Sequence, residues 1–207
     1  MIVVIGAVGA RQVESGEFEP TGFAANVALA AAAAGSRVEV VSRLGEDPAG
    51  DAVLLGFARA GVGHVASLRH AGGRTPIVVE ASESVDADGA GFDDVGRPEQ
   101  LELDGGDVGL ALRYLSDYRV IVLAHPFEGD VVREAESAAA WGPAHLIVVA
   151  HPGSVDAIPS LPGALVLSAD DDADGTASRL GRYAAAVDAG EGLDTAYAVL
   201  TGANAES

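Results

Sequence analysis

No cysteine and no lysine occur in these 207 residues. Without cysteine there is neither a disulfide framework nor a thiolate metal site, which fits a reducing compartment and sets the expectation of a cytoplasmic protein. Without lysine every cation is an arginine, and the lysine-bearing phosphate loop of P-loop enzymes is excluded. Long apolar runs are missing too: no stretch reaches the roughly eighteen uninterrupted apolar residues that a membrane-spanning helix requires. Positive charge is scarce, with Lys+Arg 12 against Asp+Glu 31 for a net −19. A field of that sign repels phosphate backbones and anionic membranes, so neither nucleic acid nor membrane is expected as a partner. The opening MIVVIGAVGA lacks the basic start and long apolar core of a secretory signal, and its β-branched run bounded by glycines predicts a first strand.

What is present is a globular composition, 49% hydrophobic and 21% charged, with no linker-like segment dividing it. A single domain over residues 1–207 is expected. Short apolar runs recur at RVEVV (Arg37 to Val41), VIVLA (Val120 to Ala124), LIVVA (Leu146 to Ala150), ALVLS (Ala164 to Ser168) and AYAVL (Ala196 to Leu200). Runs of this kind suit strands buried on both faces of a parallel sheet. The last of them reads as a buried strand, Thr195 to Thr201, entering a glycine turn at Gly202. Helical stripes fall between the runs. Asp47 is a candidate N-cap followed by Pro48, with Val53, Phe57 and Ala60 on one face and Gly61 as the stop. Val131, Ala135 and Ala138 form a second stripe, and Ala177, Leu180, Ala184 and Val187 a third. Strand and helix in alternation predict a doubly wound α/β fold. The interval from Thr75 to Gly106 departs from this rhythm, and its alternation, DG turn and glycines predict a peripheral β-hairpin.

The most informative stretch is TGFAANVALAAAAAGSRVEVVSRLG. Its alanines predict a helix able to lie close to its neighbours, ended by Gly35. Gly22 would let a ligand approach the backbone, and Asn26, polar among methyl groups, would offer a donor and an acceptor to hydroxyls. The alternative is a helix-capping or core-satisfied asparagine.

The spacing Gly22, Ala24, Asn26, Ala28, Gly35 and Gly45, followed by GEDPAGDAVLLGFARAGV and the strand opening TPIVVE, resembles the N-terminal part of the ribokinase, or PfkB-type, carbohydrate kinases. Thr21 stands where that family usually has alanine or glycine. The resemblance implies a ribokinase-like, mostly parallel sheet that binds a sugar or nucleoside at its carboxyl edge, with Gly22, Asn26 and Gly45 on the substrate side. Arg11 and Gln12 occupy the neighbourhood of an aspartate that holds substrate hydroxyls in the family, and the short segment up to Gly22 implies a reduced or absent lid. The family's GAGD motif, source of its general base and anion hole, has no counterpart after AYAVLTG within residues 1–207. DADGAGFDD (Asp86 to Asp94) is a poor substitute, because Phe92 splits it and no helix pattern follows.

The implied function is therefore a carbohydrate or nucleoside kinase homologue, catalytically degenerate, with sugar or nucleoside recognition retained. The alternatives are an active kinase completed by a partner chain, a dimer or further residues, and a non-enzymatic subunit. Magnesium and ATP enter as cofactors only with the active kinase. SADDDADG, with Asp170, Asp171, Asp172 and Asp174, stands where the family arranges magnesium, although a solvated acidic loop is the favoured reading, since charge runs are usually exposed. Ala124-His125-Pro126 and Ala150-His151-Pro152 each end a predicted strand, so His125, His151 and Asp170 outline a candidate ligand or metal crevice; the plain alternative is that His-Pro ends strands. VIGAVGA lacks the GxGxxG spacing of a dinucleotide-binding turn, and no GxSxG of a serine hydrolase occurs.

Overall fold

The computed structural model describes residues 1–13, 15–79, 101–127, 129–150, 163–168 and 175–201. A parallel six-stranded sheet runs in the order β11-β10-β9-β1-β4-β6, formed by β1 (Ile2–Ile5), β4 (Val38–Val41), β6 (Val62–Gly63), β9 (Val120–Leu123), β10 (His145–Ala150) and β11 (Leu165–Ser168). Its strands are nearly all apolar because both faces are covered. Ile2 and Val4 of β1 point into one core with Val38, Val40, Val120 and Val122, whereas Val3 and Ile5 point into the other with Val41, Ile121 and Leu123. The first core is closed by α1 (Phe23–Ala33), α2 (Pro48–Arg59) and α5 (Thr176–Ala189), the second by α3 (Gly105–Tyr114) and α4 (Gly129–Trp141). This is the doubly wound α/β architecture that the strand and helix alternation predicts.

The anticipated signals act locally as expected. Asp47 caps α2 by accepting from Gly50 N–H, Pro48 occupies the first turn, and Gly61 at φ +73° ends the helix. The methyl face of α1 is what α5 needs: Gly181 lies so close to α1 that an added Cβ would stand 2.8 Å from Ala30 Cβ and 3.0 Å from Ala31 N, with Val27 O nearer still. Gly181→Ala should therefore push the two helices apart and cost about 1–3 kcal/mol in urea unfolding, the range for overpacking a tight contact. A cost near zero would show that α1 and α5 do not pack this closely.

Two parts of the chain differ from the sequence-based expectation. Residues 196–200, expected as a strand, lie within α6 (Leu193–Thr201). A five-residue apolar run is too short for periodicity to separate strand from helix. The alanines and the acidic first turn decide for helix, and Ala196 alone is fully buried, against α5. Helix α3 was not anticipated at all. Gly105, Gly106 and Gly109 hide its pattern, and they are there for proximity: Cβ atoms at Gly105 and Gly109 would meet Asp130 Oδ2 at 2.9 Å and Glu134 Oε2 at 2.7 Å. Asp104 and Asp107 form a capping box at its start, and Asp130 accepts Gly105 N–H at 2.9 Å.

The remaining strands form smaller sheets. Strands β2 (Gly9–Gln12) and β3 (Phe18–Thr21) make an antiparallel hairpin, and β8 (Ile77–Val79) joins β2 in parallel, so the segment expected as a reduced or absent lid is a small three-stranded sheet. Pro20 of β3 rests against Gly56 of α2, where a Cβ would stand 2.5 Å from the proline ring. Strands β5 (Arg43–Gly45) and β7 (Leu68–His70) pair in parallel. Of the interval expected as a peripheral hairpin, β8 opens it, Gly105 and Gly106 at its end belong to α3, and residues 80–100 lie outside the described residues.

Candidate functional site

The order of the main sheet reverses between β1 and β9. From β1 the chain moves outward through β4 to β6, and from β9 it moves the other way through β10 to β11. Such a switch point opens a crevice at the carboxyl ends of the two strands, where ligands bind in open α/β sheets. Gly6 lies buried at this point, just after β1. A Cβ there would stand 2.8 Å from Ala24 Cβ and 3.2 Å from Ala124 O, so only glycine lets the end of β1, the end of β9 and the head of α1 meet.

Gly22 is the N-cap of α1, at φ +101° and ψ 163°. A Cβ at Gly22 would find only ordinary contacts, the nearest Ala7 O at 3.6 Å, so the backbone conformation and not the space demands glycine here. Asn26, one turn inside α1 and half-buried, donates its backbone N–H to Gly22 O at 3.0 Å. Gly22, and not Asn26, stands at the N-cap position of α1. Ala24, Ala25, Val27 and Ala28 around it are all buried.

Gly45 lies in a second cluster, which knots the β5–α2 turn to the segment before β8. Asp47 Oδ1 accepts Gly50 N–H and its Oδ2 accepts Thr75 N–H, both at 2.7 Å, while Thr75 Oγ1 accepts Gly45 N–H at 3.1 Å. Thr75 is buried, and a Cβ on Gly45 would stand 2.5 Å from Gly73 O and 2.8 Å from Thr75 N. Burial pushes the Asp47 carboxyl upward, but the donors on Gly50 and Thr75 together with the Arg69 charge outweigh it and hold it below the usual carboxylate range. Gly45 is thus packed against its own loop and Thr75.

His125 stands exposed just beyond β9, its ring edge-on to Phe127 with centroids 5.3 Å apart. Its expected companions His151 and Asp170 lie outside the described residues, as do Asp171, Asp172, Asp174, the Asp86 to Asp94 segment and Gly202. Among the described residues no three His, Asp or Glu side chains converge where a metal ion would sit. Arg11, in the neighbourhood where the resemblance calls for an aspartate, pairs with Glu19 across the β2–β3 hairpin at 3.0 Å. Gly6 and Thr75 were missed in the sequence, since each matters through residues far along the chain. No helix among the described residues is long and apolar enough to cross a membrane.

Residues 2–89 match the family model described as pfkB family carbohydrate kinase, a span that contains Gly6, Gly22, Asn26, Gly45 and Thr75. No curated protein sequence matches the chain. Among solved structures, a candidate Ribokinase II from E. coli superposes with a TM-score of 0.66 at 14% identity, covering 94% of this chain and 88% of that one. A fructokinase from Vibrio cholerae, bound to fructose, ADP and potassium, gives a TM-score of 0.52 at 18% identity over 72% of this chain and 49% of its own. Aminoimidazole riboside kinase from Salmonella enterica, complexed with its riboside and an ATP analogue, gives 0.50 at 16% over 78% and 55%. The chain thus spans most of the first protein and about half the length of the other two. Over residues 2–89 this protein carries the sequence pattern of the PfkB carbohydrate kinases, and it has the ribokinase-like α/β fold.

Proposed function

We propose that residues 1–207 recognise a sugar or nucleoside in the crevice between β1 and β9, as the substrate-binding part of a PfkB-type carbohydrate or nucleoside kinase. The observation that carries this is the position of Gly22 and Asn26 at the head of α1, beside the switch point and inside the family match. An asparagine amide can both donate and accept, which suits Asn26 to neighbouring ring hydroxyls. Gly22 brings no side-chain cap to the start of α1. The β2, β3 and β8 sheet is the element that shields the ligand from water, as a small lid. With a net charge of −19, a neutral polyol or nucleoside suits the crevice better than a sugar phosphate.

Phosphoryl transfer is not assigned to these residues alone, because the GAGD sequence that supplies the family's base is not among them. Thermal unfolding against a panel of neutral sugars and nucleosides, with and without magnesium ATP, tests both halves of the proposal. A ligand at a hundred times its dissociation constant adds about 2.7 kcal/mol, a clearly raised midpoint. A shift with sugar or nucleoside alone is the expected result. An additional shift with magnesium ATP, accompanied by ADP release, would replace it with the active-kinase reading, and no shift with any compound would leave a structural subunit.

A further inference from the structure

The chain has one tryptophan and four tyrosines, and all of them lie toward one end of the fold, divided between the two faces of the sheet. Tyr114 is the last residue of α3, Tyr118 lies in the connection to β9, and Trp141 ends α4. Tyr183 of α5 meets His145, the first residue of β10, with 3.0 Å between its hydroxyl and Nε2, and Tyr197 of α6 lines the same hollow. This is the amino-terminal rim of β9, β10 and β11, opposite the carboxyl edge that carries Gly22, Asn26 and His125.

The rim displays its apolar surface. Trp141 is 92% exposed, Tyr114 70% and Leu110, one turn before it on α3, 60%. Beside them a groove of about 660 Å³ runs between the ends of α3 and α4, walled by Tyr118 and Trp141 and carrying Arg113, Asp117 and Glu134. Elsewhere among the described residues tyrosine and tryptophan are absent, so this display is not an even scatter over the surface. Rings with an apolar body and a polar tip are the side chains that anchor protein interfaces, and an exposed cluster of them marks a docking surface.

We infer that this rim docks a protein partner through a segment that is both cationic and apolar. The charge of the chain selects the occupant. At −19 with no lysine, the protein attracts a basic partner over a Debye length, and at the groove itself two carboxylates, Asp117 and Glu134, outnumber the one cation, Arg113. A second copy would bring −19 against −19, and an anionic membrane would meet the same repulsion. Trp141 and Tyr114 supply the apolar anchors, the carboxylates the steering. Because the two rims face opposite ways, a partner here leaves the sugar crevice open.

Trp141 is also the reporter, since its emission is the only indole signal. Titration of the full chain with a tryptophan-free amphipathic helical peptide of leucine and lysine should give a saturable emission change. The dissociation constant should weaken by about tenfold or more in Leu110→Ser with Tyr114→Ser, as for loss of interface anchors. Leu55→Ser, which alters an exposed leucine on α2, should leave it unchanged, and the same peptide with glutamate for lysine should not bind. Circular dichroism checks that each variant is folded. Equal affinity for wild type and the rim variant, or equal weakening by Leu55→Ser, would reduce the binding to general attraction and overturn the inference. So would sedimentation showing a dimer that the rim substitutions dissolve, because the occupant would then be a second copy.

Discussion

Asn26→Ala is expected to remove sugar or nucleoside binding while leaving the fold in place. Alanine is the best helix former, and Asn26 sits among Ala24, Ala25, Val27 and Ala28, so the shorter side chain is accommodated without a clash. Its stability should change by no more than about 1 kcal/mol, the usual net worth of a hydrogen bond in a folded protein. Binding responds differently. Hydroxyls brought into the crevice lose water and, without the amide, gain nothing in return, a penalty of about 2–3 kcal/mol or roughly 30- to 140-fold in the dissociation constant. Calorimetric titration with whichever sugar or nucleoside raises the unfolding midpoint measures this directly. Unchanged affinity in a folded Asn26→Ala protein would place the ligand elsewhere.

Asp47→Ala should give the largest loss of stability, about 3 kcal/mol. It removes the N-cap of α2, worth about 1 kcal/mol. It also strands the N–H of buried Thr75, and an unpaired buried donor costs about 1–3 kcal/mol more. The effect has a pH signature. The folded carboxyl titrates below its unfolded value of 3.8, so the stabilisation is fully present above pH 3.8 and is lost as pH falls through the lower folded value. The stability gap between wild type and Asp47→Ala in urea unfolding should therefore be level from pH 7 to pH 5 and should narrow below pH 3.8. A gap under about 1 kcal/mol at neutral pH, or one indifferent to acid, would show that Asp47 does not tie the β5–α2 turn to Thr75.

These two residues mark what a sequence displays and what it hides. The cap, proline and stop of α2 are local, and all lie within one short stretch, so they are readable in order. The buried runs at β1, β4, β9, β10 and β11 are readable because parallel strands covered on both faces need apolar residues throughout. Gly22 and Asn26 are found through spacing shared with a family. Local signals fail where the deciding contact is distant. The run AYAVL reads as a strand yet folds as helix, because five residues fit either period and packing of Ala196 on α5 makes the choice. Helix α3 is invisible because its glycines serve Asp130 and Glu134 on α4. The second bond of Asp47 reaches 28 residues along the chain to Thr75, and the close packing at Gly6 depends on Ala124, after β9.

The most direct measurement of the central claim is a titration followed by nuclear magnetic resonance on isotope-labelled protein. The signals to watch are the Asn26 side-chain amide, the Gly22 backbone amide and the Trp141 indole. With a binding sugar or nucleoside, the Asn26 and Gly22 signals should move together and saturate, while the Trp141 indole, at the opposite rim, should stay where it is. Saturable binding that leaves Asn26 and Gly22 unmoved would contradict a substrate crevice at the β1–β9 switch point.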